Sequence, residues 1–378
     1  MTALKKRDRT ILIAVIAVVV VVAVVVGIGV SGVLGGGAGG VAGGDDGGGG
    51  GGGAAEDASL AERTVVEDGK ELVEIYTYTR TDCGITPYLV ADQKGYFADE
   101  GIKLVYTGTI GYDQQLATVV SGQNDLGDAH PNELALFVQG GAPVKGVSRD
   151  DIEPLDEALA EHRHMKYFVT EDSPITSWED VLTYEGGSGE VLINGHIPSC
   201  STFVPGAIFD NYGISRDRLT TVTFESDREA LQAVSQGDIT IAQVHPPFYK
   251  LAEESGLRQI GDSFDAGLGA TTGTALYYFS NQFIEEHPDL VQKFVNAITK
   301  AQIWANEPEH FDEAAQITAE ALTVEATVTH YYADDTLIVD HEIQPWIDDL
   351  VATGFLKEGE VEVSDIITHQ FENPEIHK

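Results

Sequence analysis

The sequence predicts an α/β protein whose folded part divides into two lobes, and three observations carry that expectation. Strand-like and helix-like segments alternate at short spacing over residues 84–147. The same alternation resumes over residues 177–244. Roughly 310 residues follow a glycine tether, more than one small core organises.

In the first stretch Thr86-Pro87 opens a helix, since proline at the first helical position loses an N–H that has no partner there. Gly95 stops it. Residues 103–107 alternate like a strand, and a helix over residues 112–120 stops at Gly122. A short strand at 125–128, a helix over 132–139 and a strand near Val144 follow, which argues for a largely parallel sheet. In the second stretch Ser177 and Asp180 cap a helix and residues 191–194 form a strand. Residues 201–212 form a helix stopped by Gly213, and 219–224 a strand. Ser226-Asp227-Arg228-Glu229 is a capping box for a helix ending at Gly237. Residues 239–244 read as a buried strand. Helices over 288–306, 311–322 and 343–353 return to the first lobe. The chain crosses between lobes near residues 166–170 and 274–280. The domains are therefore 61–165 with 276–378 for lobe one and 166–275 for lobe two. In such sheets ligands sit beyond the carboxyl ends of the strands, which directs attention to the loops at 83–86 and 128–131.

The N-terminus is a separate object. Lys5, Lys6, Arg7 and Arg9 precede residues 11–30, which hold no charge and are half valine. Twenty helical residues reach roughly 30 Å, the thickness of the hydrocarbon core. The reading is a cytoplasmic tail (1–10), an uncleaved signal-anchor transmembrane helix (11–34) and a Gly-rich linker (35–60). The basic flank places the tail inside and the rest outside the cell membrane, single-pass. The linker reaches on the order of 25 Å and lets a folded module swing near the membrane.

The chain carries 22 Lys+Arg against 61 Asp+Glu. That excess repels nucleic acid and anionic lipid, suits high salt and does not favour anionic ligands.

Several phrases carry a family resemblance: YLVADQKGYFADEGIKL, ATVVSGQNDLGDA, QGGAPVKGV, SPITSWEDV, INGHIPSCSTFVPGAIFDNYGI, ALQAVSQGDITIAQVHPPFYKLAEESGL and FIEEHPDLVQKFVNAITKA. In this order they resemble the solute-binding proteins of ABC importers, in the nitrate/sulfonate/taurine and thiamine-precursor-like group, over about residues 72–373. The resemblance implies a two-lobed type II periplasmic-binding-protein-like fold with a hinge. It implies an extracytoplasmic receptor that binds one small organic or oxyanion solute between lobes, delivers it to a permease and ATPase, and breaks no bond. It implies no cofactor and no nucleic-acid partner. A pyrimidine would use Tyr88, Tyr112, Phe203 and Phe248 as walls; a sulfonate or nitrate would use hydroxyl and N–H donors.

Four loops hold most of the candidate ligand-binding residues. Ser199, Cys200, Ser201 and Thr202 stand at a helix start, where free N–H groups attract anions; the resemblance places ligand here. His245 heads the HPPF turn that includes Phe248. Asp128 and His130 form the matching edge of lobe one, a weak echo of His-Pro after a strand in each lobe. Asp82 and Cys83 follow the first strand, where the resemblance again places ligand. The cysteines stay open between ligand-contacting thiols, a cross-cleft disulfide and inert residues. Cys83, His130, His196, Cys200 and His245 all fall in ligand-end loops and are the side chains transition metals favour. Metal or metal-chelate binding is thus an alternative, beside a sensor ectodomain; the site reading itself assigns no metal. A pyrimidine-precursor synthase ranks last, because residues 264–278 hold no cysteine. His162 and His164 carry no role, and His330, in the helical tail, reads as surface. Gly186-Gly187-Ser188-Gly189 lacks the lysine and spacing of a phosphate loop.

Overall fold

Strand pairing sorts the chain into two sets of sheets. The computed structural model describes residues 62–186, 189–224 and 226–376, without the side chain of Cys83. The expected cytoplasmic tail, signal-anchor helix and Gly-rich linker lie outside the described residues. Among the described residues no helix is long and apolar enough to cross a membrane.

The strands are β1 (Thr64–Glu67), β2 (Lys70–Thr77), β3 (Ile102–Tyr106), β4 (Leu126–Ala129), β5 (Val144–Arg149), β6 (Lys166–Thr170), β7 (Val191–Asn194), β8 (Leu219–Val222), β9 (Ala242–Val244), β10 (Leu257–Asp262) and β11 (Leu276–Ser280). The sheets run β1-β2-β3 and β4-β11-β5 in one set, β10-β6-β9 and β7-β8 in the other. Asp68 and Gly69, at φ 50° and 80°, make the two-residue turn between β1 and β2, the backbone that a tight hairpin requires.

The expectation of a largely parallel sheet needs correction. Only β2–β3 and β7–β8 pair in parallel among the named strands; β11 runs antiparallel to both β4 and β5, and β6 to both β9 and β10. Each of those central strands is the first one laid down after a long irregular transit. It enters its sheet from the opposite end, which local alternation cannot reveal. The strand read over 239–244 shortens to β9, because Thr240 and Ile241 bond to Leu192 of β7 through backbone N–H groups at 2.8 and 3.1 Å.

The helices follow their sequence signals closely. Thr86–Gln93 starts on its proline, Pro131–Gln139 on Pro131, and Asp227–Gln236 is capped by Ser226 and closed by Gly237 in the left-handed conformation. Pro288–Asn306 buries Leu290, Val291, Phe294, Val295 and Ile298 against β2, β3 and Thr86–Gln93. At roughly 1.5–3 kcal/mol per fully buried large apolar side chain, this face dominates the first core. A separate core under β6, β7 and helix Cys200–Asn211 includes Trp178, Phe203 and Phe209, and receives Trp346 from helix Asp340–Ala352. That helix keeps Ile343, Ile347 and Leu350 in a core of the other set, so one helix joins both.

Candidate functional site

Five chain segments meet where the two sets of sheets face each other. β4 ends at Ala129 and delivers His130; Pro131 starts the next helix, and Glu133 Oε2 accepts the His130 N–H at 2.7 Å. β9 ends at Val244 and delivers His245 ahead of Pro246. Cys200 is the first residue of helix Cys200–Asn211. The transit between β5 and β6 brings Asp150, Asp151 and His164. A returning segment brings His330, held by backbone bonds from Ile152 N to Tyr331 O (3.0 Å) and from Ala333 N to Asp150 O (2.7 Å).

The ring nitrogens show how this cluster is aimed. His130 Nδ1 lies 2.9 Å from the Thr274 carbonyl, which fixes it as the donor and leaves Nε2 as the lone pair. His245 Nδ1 lies 2.9 Å from Asp227 Oδ2, and its Nε2 faces Cys200 Sγ at 3.9 Å. His164 Nδ1 lies 3.0 Å from Asp151 Oδ2. The donor atoms of His130, His164 and Cys200 all lie within 4.8 Å of one another, as do those of Asp151, His164 and His330. The rings pack at 5.4 Å (His130–His164), 5.5 Å (His164–His245) and 4.7 Å (His164–His330).

Burial and charge pull against each other here. Burial alone raises the Cys200 thiol, but His130, His164 and His245 outweigh it and hold the thiol well below its ordinary value. The thiolate is thus favoured, the form that acts as nucleophile and ligand. Burial disfavours a charged His164, yet Asp151 and Cys200 raise it to about 9. His245 is likewise raised, against burial, by Asp227 and Cys200. Burial drives His330 well down despite Asp151.

A second focus lies beside the first. Arg80 contacts the Asp128 carboxylate, reaches Asp82 at 2.8 Å and Asp150 at 3.4 Å. Gly84 sits directly beneath its guanidinium, where any Cβ would collide. Burial and Asp151 push Asp150 up to about 8, against Arg80 and the Tyr277 hydroxyl that donates to it at 2.5 Å.

The remaining expected residues separate into those brought to the cleft and those drawn away. The edges at 128–130 and 199–202 do face each other: Asn132 Nδ2 donates to Ser199 O at 3.1 Å. Tyr112 and His196, one from each set, pair at the rim with ring centres 4.8 Å apart. The Cys83 side chain lies outside the described residues, so its relation to Cys200 is not described. The donors expected at residues 199–202 are occupied internally. Ser199 Oγ accepts from Ser201 N (3.2 Å) and pairs with Ser201 Oγ (2.6 Å), Ser201 Oγ takes the His196 N–H (2.9 Å), and Thr202 Oγ1 donates to Ser199 O (3.2 Å). The hydroxyl run is a cap that saturates itself. Tyr88, at 1% exposure, packs on Tyr277 and Phe294 in a core, and Phe248 is likewise buried; neither forms an open wall. Phe203 is stacked on Trp346 at 3.9 Å. Two histidines given no binding role, His164 and His330, are buried members of the cluster, and His162 is buried against Phe311. The available signals were the His-x-His ahead of β6 and the paired Asp150-Asp151 after β5.

The family model described as NMT1/THI5 like matches residues 83–310. The chain is 22% identical over 290 residues to the proposed binding protein YtlA of Bacillus subtilis (strain 168), spanning 73% of this chain and 80% of that one. A zinc-bound ligand-binding component of an ABC-type import system from Staphylococcus aureus is similar at TM-score 0.62 and 14% identity, over 79% of this chain and 97% of that one. The aliphatic sulphonate binding protein SsuA of Escherichia coli is similar at 0.60 and 16% identity (78% and 92% covered). The nitrate-binding protein NrtA of Synechocystis PCC 6803 is similar at 0.62 and 10% identity (79% and 87% covered). At these identities the solved structures speak for the fold, an α/β periplasmic-binding-protein-like one.

Proposed function

We propose that this chain, which belongs to the NMT1/THI5-like family, is the extracytoplasmic solute-binding receptor of an ABC importer. It takes one small solute between two lobes, residues 61–165 with 276–378 and residues 166–275, closes on it and offers the closed form to a permease. The apolar run at residues 11–30 and the glycine linker tether it to the membrane.

The observation that supports this reading is the convergence of His130 from one set of sheets with Cys200 and His245 from the other. A ligand drives closure only through differential contact with the closed state, and groups from both sides of a cleft supply it. The charges bear on ligand class. Arg80 is already matched by Asp82, Asp128 and Asp150, so nitrate or a sulfonate finds no free guanidinium there.

The test is small-angle scattering and thermal unfolding of the full-length chain in detergent, against taurine, nitrate, a hydroxymethyl pyrimidine and divalent metal salts. One class should reduce the radius of gyration and raise the Tm, and deletion of the gene should abolish its uptake. Binding without compaction, or intact uptake after deletion, overturns the receptor reading.

A further inference from the structure

We infer that the solute of this cleft is a late first-row transition-metal ion, held by His130, His164, His245 and Cys200 and fitting zinc(II). This rests on the receptor reading for the ion's fate as cargo; the donor set stands on its own geometry. Three imidazoles and one thiolate sulfur make a complete tetrahedral set for a borderline-soft ion. They exclude calcium and magnesium, which take oxygen ligands.

Three features of the cluster point to an ion rather than to ordinary packing. First, the outer partners are in place. The Thr274 carbonyl and Asp227 bond the His130 and His245 Nδ1 atoms at 2.9 Å, and Asp151 Oδ2 stands 3.0 Å from His164 Nδ1. An oxygen on the remote ring nitrogen is what fixes a metal-binding imidazole. Second, the His164 side chain is only 2% exposed, and neither ring nitrogen makes a well-formed hydrogen bond among the described residues, Nδ1 having Asp151 Oδ2 at 3.0 Å and Nε2 facing the cluster. A buried polar atom without a partner is costly; a metal lone-pair bond removes the cost. Third, the size fits. Bonds of about 2.0–2.3 Å place tetrahedral donors roughly 3.3–3.8 Å apart. The His130, His164 and Cys200 donors share a 4.8 Å limit; His245 Nε2 stands 3.9 Å from Cys200 Sγ but outside that limit from the set as a whole, so it joins as the fourth ligand by a small inward shift.

Four protein donors leave no open coordination position, which suits holding an ion rather than activating water on it. His130 stands on the β4 side while Cys200 and His245 stand on the β9 side, so opening the cleft dismantles the set and weakens the hold. Closure and affinity are thus linked, as an ion released to a permease requires.

Cobalt(II) titration of the full-length chain in detergent tests this, with metal analysis of the purified protein. The expected result is one ion per chain, a thiolate-to-cobalt charge-transfer band in the near ultraviolet, and the intense visible absorption of tetrahedral cobalt. Cys200→Ser should abolish the charge-transfer band and His245→Gln should weaken zinc binding by more than about a hundredfold, beyond the effect of losing an outer partner. Circular dichroism checks that both variants fold, and the wild-type spectrum decides the matter even if neither does. Absence of stoichiometric binding, or a thiolate band that survives Cys200→Ser in a folded variant, overturns the inference. Compaction by an organic solute or oxyanion with no cobalt bound overturns it while sparing the receptor reading. Cobalt bound with the thiolate band but without compaction or a metal-uptake defect supports the site and removes the receptor.

Discussion

Arg80, half-buried, and Cys200, buried, sit in the same cleft among opposite charges and differ in what they leave unmatched. Arg80 has a carboxylate on three sides, so nothing on it is aimed at a guest. Around Cys200 the carboxylates stand one layer back, on the far nitrogens of His164 and His245, and the near nitrogens converge on sulfur. Buried charge that neutralises itself is architecture. Buried imidazoles with carboxylates behind them and a sulfur before them hold protons on the near side, and those protons are what a metal ion displaces.

The sharpest way to break this contrast is Arg80→Ala. Removing one partner of a buried ion pair leaves the others uncompensated, so a stability loss of about 3–5 kcal/mol is expected in urea unfolding, with cobalt binding retained by the fraction that folds. Unchanged stability would remove the architectural role.

Next comes a carboxyl that belongs to neither focus. Glu153 accepts from Ser263 at 2.7 Å and from His164 N at 3.1 Å, and burial pushes it up to about 7 from an ordinary 4.5, against those bonds. Below pH 4.5 both states hold its proton. Between 4.5 and 7 the native state keeps a proton that the unfolded chain releases, so its contribution falls with rising pH, by on the order of 3 kcal/mol in all. The wild-type minus Glu153→Gln stability difference should slope downward across that window and flatten above it; a level difference contradicts the assignment.

Asp227→Asn tests the outer layer around Cys200. Zinc affinity should fall about 10–100-fold while urea stability changes little, since Asp227 sits at a helix start with its side chain 15% exposed. The smallest effect is expected at the rim. Tyr112 is 45% exposed and only its ring meets His196, so Tyr112→Ala should move stability by no more than about 0.5 kcal/mol while speeding ligand release in stopped-flow mixing.

The sequence made some of this legible and hid the rest for a physical reason. Helix starts at Pro87, Pro131 and Ser226 and stops at Gly95 and Gly237 are local events, written in adjacent residues. The His-Pro turns after β4 and β9 could be placed for the same reason. His164 and His330 could not. They lie on irregular segments without periodicity, and their positions depend on pairing between Asp151 and Tyr332, far apart along the chain. The hydroxyls at 199–202 show the reverse case. Their spacing shows donors, and only the three-dimensional loop shows that the donors satisfy each other. Tyr88 and Phe248 look like walls in a list of aromatics, but they lie on the core-facing sides of their turns.

Trp346 spans the two halves. It rises from a helix rooted in one half, its ring stacks on Phe203 of the other, lies 5.2 Å from the His130 ring, and its Nε1 donates to Thr271 O at 3.0 Å. Pulling the halves straight apart would strip a large indole from its socket, a penalty of about 4–6 kcal/mol for 150–250 Å² of surface. Swinging them about that indole leaves it seated. In the proposed receptor the halves would thus turn about this indole, which also lies against His130, one of the proposed ligands.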